Sequence, residues 1–152
     1  MRSTVSARRL VLLLVLGLAA LVGTQVAARV NSENGLAIRG YDPVAYFTEG
    51  RPVRGQTAFT HRWDGTNWRF SSAANRDRFA ADPARYAPAY GGFCAFAVSE
   101  GYTAPIDPNA WRIVDGRLFL NYDRTIQRRW EQDIPGRISR GDANWPGLAA
   151  AR

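Results

Sequence analysis

The stretch WRIVDGRLFLNY, residues 111–122, decides the fold class. Its two halves are rich in aromatic and branched apolar residues, which favour β-strands, and Asp115-Gly116 stands between them. Asp-Gly is a preferred central pair of a tight hairpin turn because both residues tolerate a positive φ. We therefore predict a β-hairpin in this stretch.

The upstream stretch FTHRWDGTNWRFSS, residues 59–72, predicts a second hairpin. Its strands, FTHRW and WRFSS, flank a four-residue turn, DGTN. Because successive side chains of a strand point to opposite faces, Phe59, His61 and Trp63 share one face. Two of these three residues are aromatic, so we expect this face to lie against the core.

Two helices follow the hairpins. Ser71 or Ser72 can cap a helix over Ala73–Ala81 through its hydroxyl oxygen. Asp123 can cap a helix over Arg124–Asp133, which carries apolar residues at a spacing of four.

Two shorter elements complete the prediction. We expect a short strand over Val44–Phe47, after the Asp42-Pro43 turn, and a last short helix over Arg137–Trp145. The expected fold is α+β: a small single domain over residues 31–152 in which two β-hairpins form an antiparallel sheet packed by helices.

Residues 1–30 have the pattern of a signal peptide or an N-terminal anchor. Arg2, Arg8 and Arg9 precede the apolar run Leu10–Val22, which is too short to span a membrane comfortably, and cleavage after Ala28 fits the small residues there. We expect an exported protein that is periplasmic or anchored facing the periplasm, and that meets the membrane only through this leader.

The charge pattern argues against nucleic-acid binding. The formal net charge is +7, but four of the 20 basic residues lie in the leader region, and the rest of the chain shows no basic stripe. All basic residues are arginine, which excludes a lysine Schiff base.

The stretch YGGFCAFAVSEG, residues 90–101, holds Cys94, the single cysteine of the chain. Gly91 and Gly92 predict a backbone passage with positive φ or close packing, and Gly101 predicts the end of a two-turn helix. Cys94 would lie in the first helical turn, where free N–H groups and the helix dipole favour a thiolate. The alternative is a small buried apolar side chain.

His61 is the single histidine and also has two interpretations. It can be a half-buried side chain that is satisfied by one hydrogen bond. It can also be a neutral imidazole that serves as a metal ligand or proton acceptor.

Several separate segments, in order, make the chain similar to YHS-domain proteins of the small exported kind. They are GYDPVAYF (residues 40–47), FTHRWDGTNWRFSS (59–72), NRDRFAADPARYAPAYGGFCAFAVSEG (75–101), WRIVDGRLFLNYD (111–123) and DANWP (142–146).

The resemblance implies a small module associated with metals and metal transporters. Relatives with selenocysteine at the position of Cys94 imply a functional thiol or selenol. The chain departs from the metal-associated pattern after Asp-Pro-Val, where Ala45, Tyr46 and Phe47 stand in place of a cysteine.

Three functions remain open. The first is binding of copper or zinc through Cys94 and His61, with Asp42, Asp107 or a second chain as a further ligand and a metal transporter as partner. The second is thiol redox chemistry, with Cys94 as the redox thiol, His61 as proton acceptor and a thiol protein as partner. The third is a non-catalytic module that binds a ligand or a protein through its aromatic residues. Whether the protein is an enzyme stays open.

Overall fold

The computed structural model describes residues 29–151 of the chain, and these form an α+β fold. The strands are β1 (Ser32–Glu33), β2 (Leu36–Ala37), β3 (Gln56–Trp63), β4 (Thr66–Phe70), β5 (Asp107–Val114) and β6 (Arg117–Asn121). The α-helices are α1 (Ala45–Thr48), α2 (Ala73–Ala81), α3 (Pro83–Tyr86), α4 (Ala95–Glu100), α5 (Arg124–Glu131) and α6 (Ile134–Ala150). Short 3₁₀ turns lie at Ile38–Gly40 and Ala89–Gly92.

The two hairpins belong to separate sheets, which corrects the prediction of one antiparallel sheet. The first sheet has the strand order β1-β2-β4-β3, and the second sheet consists of β5 and β6. In the first sheet β2 runs parallel to β4 and pairs Leu36 with Asn67, so a strand that precedes the first hairpin in the chain lies next to β4. The antiparallel pairing within each hairpin is confirmed.

Both hairpins have two-residue turns. Asp115 and Gly116 have φ values of 49° and 75°, as a tight turn requires. Asp64 and Gly65 have nearly the same values, 49° and 74°, and Trp63 pairs directly with Thr66. The predicted four-residue turn DGTN was therefore wrong, because Thr66 and Asn67 already belong to β4.

The segment after Asp42-Pro43 is the helix α1, and the predicted strand over Val44–Phe47 was wrong. Asp42 Oδ1 accepts hydrogen bonds from the N–H groups of Val44 and Ala45, at 2.8 and 3.2 Å. A carboxylate that satisfies the first free N–H groups starts a helix, and this local bond outweighs the β propensity of the residues that follow.

Helix ends follow the predicted caps in several places. The Ser72 hydroxyl accepts from the Asn75 N–H, and Asp123 accepts from the Ile126 N–H. Gly101 ends α4 in the left-handed conformation, with φ 93°. The last helix is longer than predicted, since α6 begins at Ile134 and continues past Pro146.

The core joins both sheets to the helices. Its largest fully buried side chains include Trp68 and Phe70 of β4, Phe79 of α2, Phe119 of β6 and Trp130 of α5. Helix α4 packs against α6 and contacts β6, which places Cys94 between the helices and the second sheet.

The leader interpretation concerns residues that are almost all outside the described part of the chain, since residues 1–28 are not described. Among residues 29–151, no helix has the length and apolar character needed to cross a membrane.

Candidate functional site

The backbone leading to Cys94 has the predicted special geometry. Tyr90, Gly91 and Gly92 all have positive φ, at 60°, 61° and 80°. A Cβ atom on Gly92 would lie 2.6 Å from Cγ2 of Ile38, so this position has no room for a side chain. Close packing and positive φ thus both require glycine here.

Cys94 is the N-cap residue of α4 and lies immediately before the helix. Its N–H donates to the carbonyl oxygen of Ala104 at 3.0 Å, which ties the start of α4 to the following loop. The Cys94 side chain does not cap the helix. Asn121 of β6 does so instead, because its Oδ1 accepts from the Phe96 N–H at 3.0 Å.

The same Asn121 oxygen faces the cysteine thiol. Sγ of Cys94 lies 3.6 Å from Asn121 Oδ1, at hydrogen-bond distance for a sulfur donor. The Phe96 N–H can only donate, so the atom between it and the thiol must be the amide oxygen. The thiol therefore donates S–H, and the contact favours its protonated form.

Burial also keeps the thiol protonated. Cys94 is 1% exposed. Burial raises the pKa of the thiol, although backbone hydrogen bonds from Ala97, Tyr122 and Phe96 act in the opposite direction. The predicted preference for a thiolate was therefore wrong, because desolvation outweighs the N–H groups at the start of a helix of six residues.

Asn121 was not predicted as a site residue, although it is central to this arrangement. It is fully buried, and within the described chain its Nδ2 has no hydrogen-bond partner. An unpaired buried donor costs free energy, and the two contacts of the amide oxygen offset part of this cost. The sequence feature that could have indicated Asn121 is its position as a polar residue at the end of the apolar strand RLFLN.

Cys94 forms the floor of an open cavity of about 270 Å³, which we call the Cys94 pocket. Around the thiol it is lined by Phe96, Ala97, Tyr102, Ala104, Tyr122 and Ile126. None of these side chains is charged. Tyr102 and Tyr122 are 52% and 53% exposed, which makes them the exposed large hydrophobic residues of the described chain. The pocket is therefore apolar, with an aromatic rim.

His61 lies on β3 and is not among the described residues that line the Cys94 pocket. It is half-buried and shares its face with Phe59 and Trp63, which confirms the predicted alternation. Its ring packs edge-on against Phe79 of α2, with 6.2 Å between ring centroids. The contacts described for His61 and for Cys94 have no residue in common.

Asp42 is fully buried, and its carboxylate has a structural role. Besides the two N–H groups at the start of α1, it accepts three bonds at Oδ2. These come from the Ser71 N–H, the Ser71 hydroxyl and the Asn75 side-chain amide, each at 2.8 Å. Both carboxylate oxygens are thus occupied by donors from α1, the end of β4 and α2.

Comparison with known families gives one match. The family model of the YHS domain matches residues 44–90. This match supports a YHS-domain family protein. No curated protein and no solved structure matches the chain.

The YHS match covers 47 of the 152 residues, from α1 through the first hairpin to Tyr90. His61 lies inside the matched segment, whereas Asp42, Cys94 and Asn121 lie outside it. The match therefore supports the family resemblance of the N-terminal half of the domain and leaves the Cys94 pocket as a feature of the second half.

Cys94, His61 and Asp42 do not form a preformed three-ligand copper or zinc site among the described residues. A metal-bound cysteine is a thiolate, but the Cys94 thiol is buried and donates to Asn121. The Asp42 carboxylate already accepts five hydrogen bonds from described residues. Among residues 29–151, no group of three or more His, Cys, Asp or Glu residues is placed to hold a metal ion.

Proposed function

We propose that this YHS-domain protein is a non-catalytic binding module whose Cys94 pocket binds one small, neutral, apolar molecule. The observation that carries the proposal is the open apolar pocket itself, with two exposed tyrosines at its rim and a protonated thiol at its floor. A thiol held as a donor in an apolar surrounding contributes a soft, polarisable surface to a ligand rather than a nucleophile.

The size and lining of the pocket support a ligand of one or two rings. Its volume of about 270 Å³ lies just below the usual range of ligand pockets, roughly 300–1,000 Å³, so only a small ligand fits. The exposed rings of Tyr102 and Tyr122 beside the pocket offer apolar faces to a planar ligand. Because none of the described lining residues is charged, a charged ligand would lose its hydration there without compensation.

Indole is a suitable probe because it is neutral, apolar and of the right size. We expect calorimetric titration to detect indole binding to the protein. The variant Ala104→Leu fills the pocket and should weaken binding by about tenfold or more. Ala143→Leu makes the same change on the exposed face of α6, outside the pocket, and should leave binding unchanged.

The single cysteine provides a second readout at the site. Indole should slow the alkylation of Cys94 by a small neutral reagent, and the protection should disappear in Ala104→Leu. If indole binds the parent and Ala104→Leu equally, or leaves the alkylation rate unchanged at saturation, the pocket is not the binding site. If indole shows no binding at millimolar concentration, the proposed function is wrong.

Metal binding is the second candidate, and the YHS family match favours it. In this proposal Cys94 and His61 bind copper or zinc, a second chain supplies further ligands, and a metal transporter is the partner. Binding would then require Cys94 to leave its bond with Asn121 and lose its proton. A Cu(I) titration separates the candidates: equal affinity in the parent, Cys94→Ser and His61→Gln would exclude this site, whereas a loss of about tenfold or more in both variants would support it.

Thiol redox chemistry and export are separate proposals. A redox role for Cys94 with a thiol protein as partner requires the buried thiol to ionise, so a lowered thiol pKa would have to be measured.

Export to the periplasm has its support in residues 1–30 alone. Cleavage after Ala28 would give a mature chain that begins at Arg29, which N-terminal sequencing of the expressed protein would detect.

A further inference from the structure

A second cavity of about 260 Å³ lies between the turns of the two hairpins, the segment after α3 and the helix α6. We call it the arginine–tryptophan cleft. The side chains that define it are Arg29, Arg85 and Arg117 together with Trp63, Tyr90 and Trp145. It shares no lining residue with the Cys94 pocket.

The aromatic walls of the cleft are held in place by packing. The rings of Tyr90 and Trp145 are 6.1 Å apart, and the Trp63 ring lies 5.9 Å from that of the buried Trp68. A Cβ on Gly91 would lie 3.2 Å from Cη2 of Trp145, so backbone and indole are already in close contact at this edge. These contacts order the walls before a ligand binds, which lowers the entropic cost of binding.

The arginines differ in their partners. Arg117 makes two bonds to the Asp142 carboxylate, at 2.9 and 3.0 Å, and these bonds raise the pKa of the guanidinium. Arg29 and Arg85 have no carboxylate at ion-pair distance within residues 29–151. Their guanidinium groups lie over aromatic rings instead, that of Arg29 over Phe93 at 5.0 Å and that of Arg85 over Tyr86 at 5.4 Å.

Among the described residues, the cleft has more guanidinium groups than carboxylates. Arg117 is bound to Asp142, Asp64 also lines the cleft, and the guanidinium groups of Arg29 and Arg85 lie over aromatic rings. These two guanidinium groups are complementary to a ligand with a negative charge. A guanidinium group binds a carboxylate through two parallel N–H bonds, and an indole or phenol ring offers a face for a planar ring.

We propose that the arginine–tryptophan cleft binds a small aromatic monocarboxylate. The ring of the ligand packs against Trp145 and Trp63, and its carboxylate is bound by Arg85 and Arg29. The cavity has room for one ring or two fused rings. This site is independent of the proposed function of the Cys94 pocket, because its ligand is charged and its lining residues are different.

The test compares two probes that share the naphthalene ring, of which only one carries a carboxylate. Naphthalene-2-carboxylate and naphthalene-2-methanol are titrated into the protein at low salt by calorimetry. We expect the carboxylate to bind about tenfold or more tightly than the alcohol, and its affinity to fall as salt is raised.

Variants locate the site. Arg85→Gln and Arg29→Gln should each weaken carboxylate binding by about fivefold or more, while the weaker binding of the alcohol stays the same. Trp145→Ala should weaken both probes. Arg62→Gln is the matched control, because Arg62 is exposed on β3 and does not line the cleft.

Three results would overturn the proposal. They are equal affinity for the acid and the alcohol, carboxylate affinity that is unchanged in both Arg85→Gln and Arg29→Gln, and no binding of the carboxylate at millimolar concentration. The alkylation rate of Cys94 should not respond to naphthalene-2-carboxylate. A response there with no effect of the arginine variants would assign the ligand to the Cys94 pocket instead.

Discussion

Replacing Asp42 by alanine should strongly destabilise the protein. The Asp42 carboxylate accepts five hydrogen bonds from three separate parts of the domain. Its removal leaves the N–H groups of Val44 and Ala45 and the amide of Asn75 without their acceptor, and all three residues are buried.

The size of the effect follows from these orphaned donors. A buried donor that loses its partner costs about 1–3 kcal/mol. Partial relaxation and water reduce the total, so we expect Asp42→Ala to lower the free energy of unfolding by about 3–5 kcal/mol. A small domain has about 5–15 kcal/mol in all, so the variant should unfold at far lower denaturant concentration.

Urea unfolding, followed by tryptophan fluorescence and by far-ultraviolet circular dichroism, measures this difference. Asp77→Ala is the matched control, because Asp77 is exposed on α2 and pairs with its neighbour Arg76. It should change the free energy of unfolding by less than about 0.5 kcal/mol. A loss of less than about 1 kcal/mol in Asp42→Ala would refute the structural role of this carboxylate and return Asp42 to the candidate ligands.

Three further predictions follow from other contacts. Asn121→Ala removes the cap of α4 and the acceptor of the Cys94 thiol, and it should lower the unfolding free energy by about 1–2 kcal/mol, measured by urea unfolding. Phe79→Ala empties the place between the rings of Trp68 and Phe70 and should cost about 3–5 kcal/mol in the same assay. Hydrogen bonds from Arg117 lower the pKa of Asp142, so this carboxylate stabilises the fold above the unfolded-state pKa of about 4, and the stabilisation is lost as pH falls through the lowered value. Stability below pH 4 should therefore decline less steeply in Asp142→Asn than in the parent, and equal slopes would contradict this.

Features that depend on neighbouring residues could be predicted from the sequence. The turn at Asp115-Gly116 needs positive φ at two adjacent positions, and Asp-Gly supplies it. The caps at Ser72 and Asp123 and the end of α4 at Gly101 are likewise local. The shared face of Phe59, His61 and Trp63 follows from strand geometry alone.

Features that depend on distant residues could not be predicted. Whether two hairpins join one sheet depends on which edges meet, and here β2 lies beside β4. The role of Asp42 depends on Ser71 and Asn75, which are 29 and 33 positions away along the chain. The Asp-Pro pair did carry a usable signal for α1, because aspartate before proline is also a helix-start pattern.

The protonation state of Cys94 likewise could not be predicted from neighbouring residues. Its position at the start of α4, after a glycine passage, was nearly correct. Its protonation depends on burial by the whole domain and on Asn121, 27 positions away, which no local pattern connects with it. The family match stops short of Cys94 and does not inform this question.

The central claim is that the Cys94 side chain at the pocket is a protonated, neutral thiol. The dependence of its alkylation rate on pH tests this claim most directly. The chain has a single cysteine, so the rate reports one group. Because burial raises the thiol pKa, the midpoint should lie above that of a free cysteine, which is about 8.5. A midpoint clearly below that value would show a thiolate at neutral pH, would contradict the neutral-thiol pocket, and would favour redox or metal chemistry.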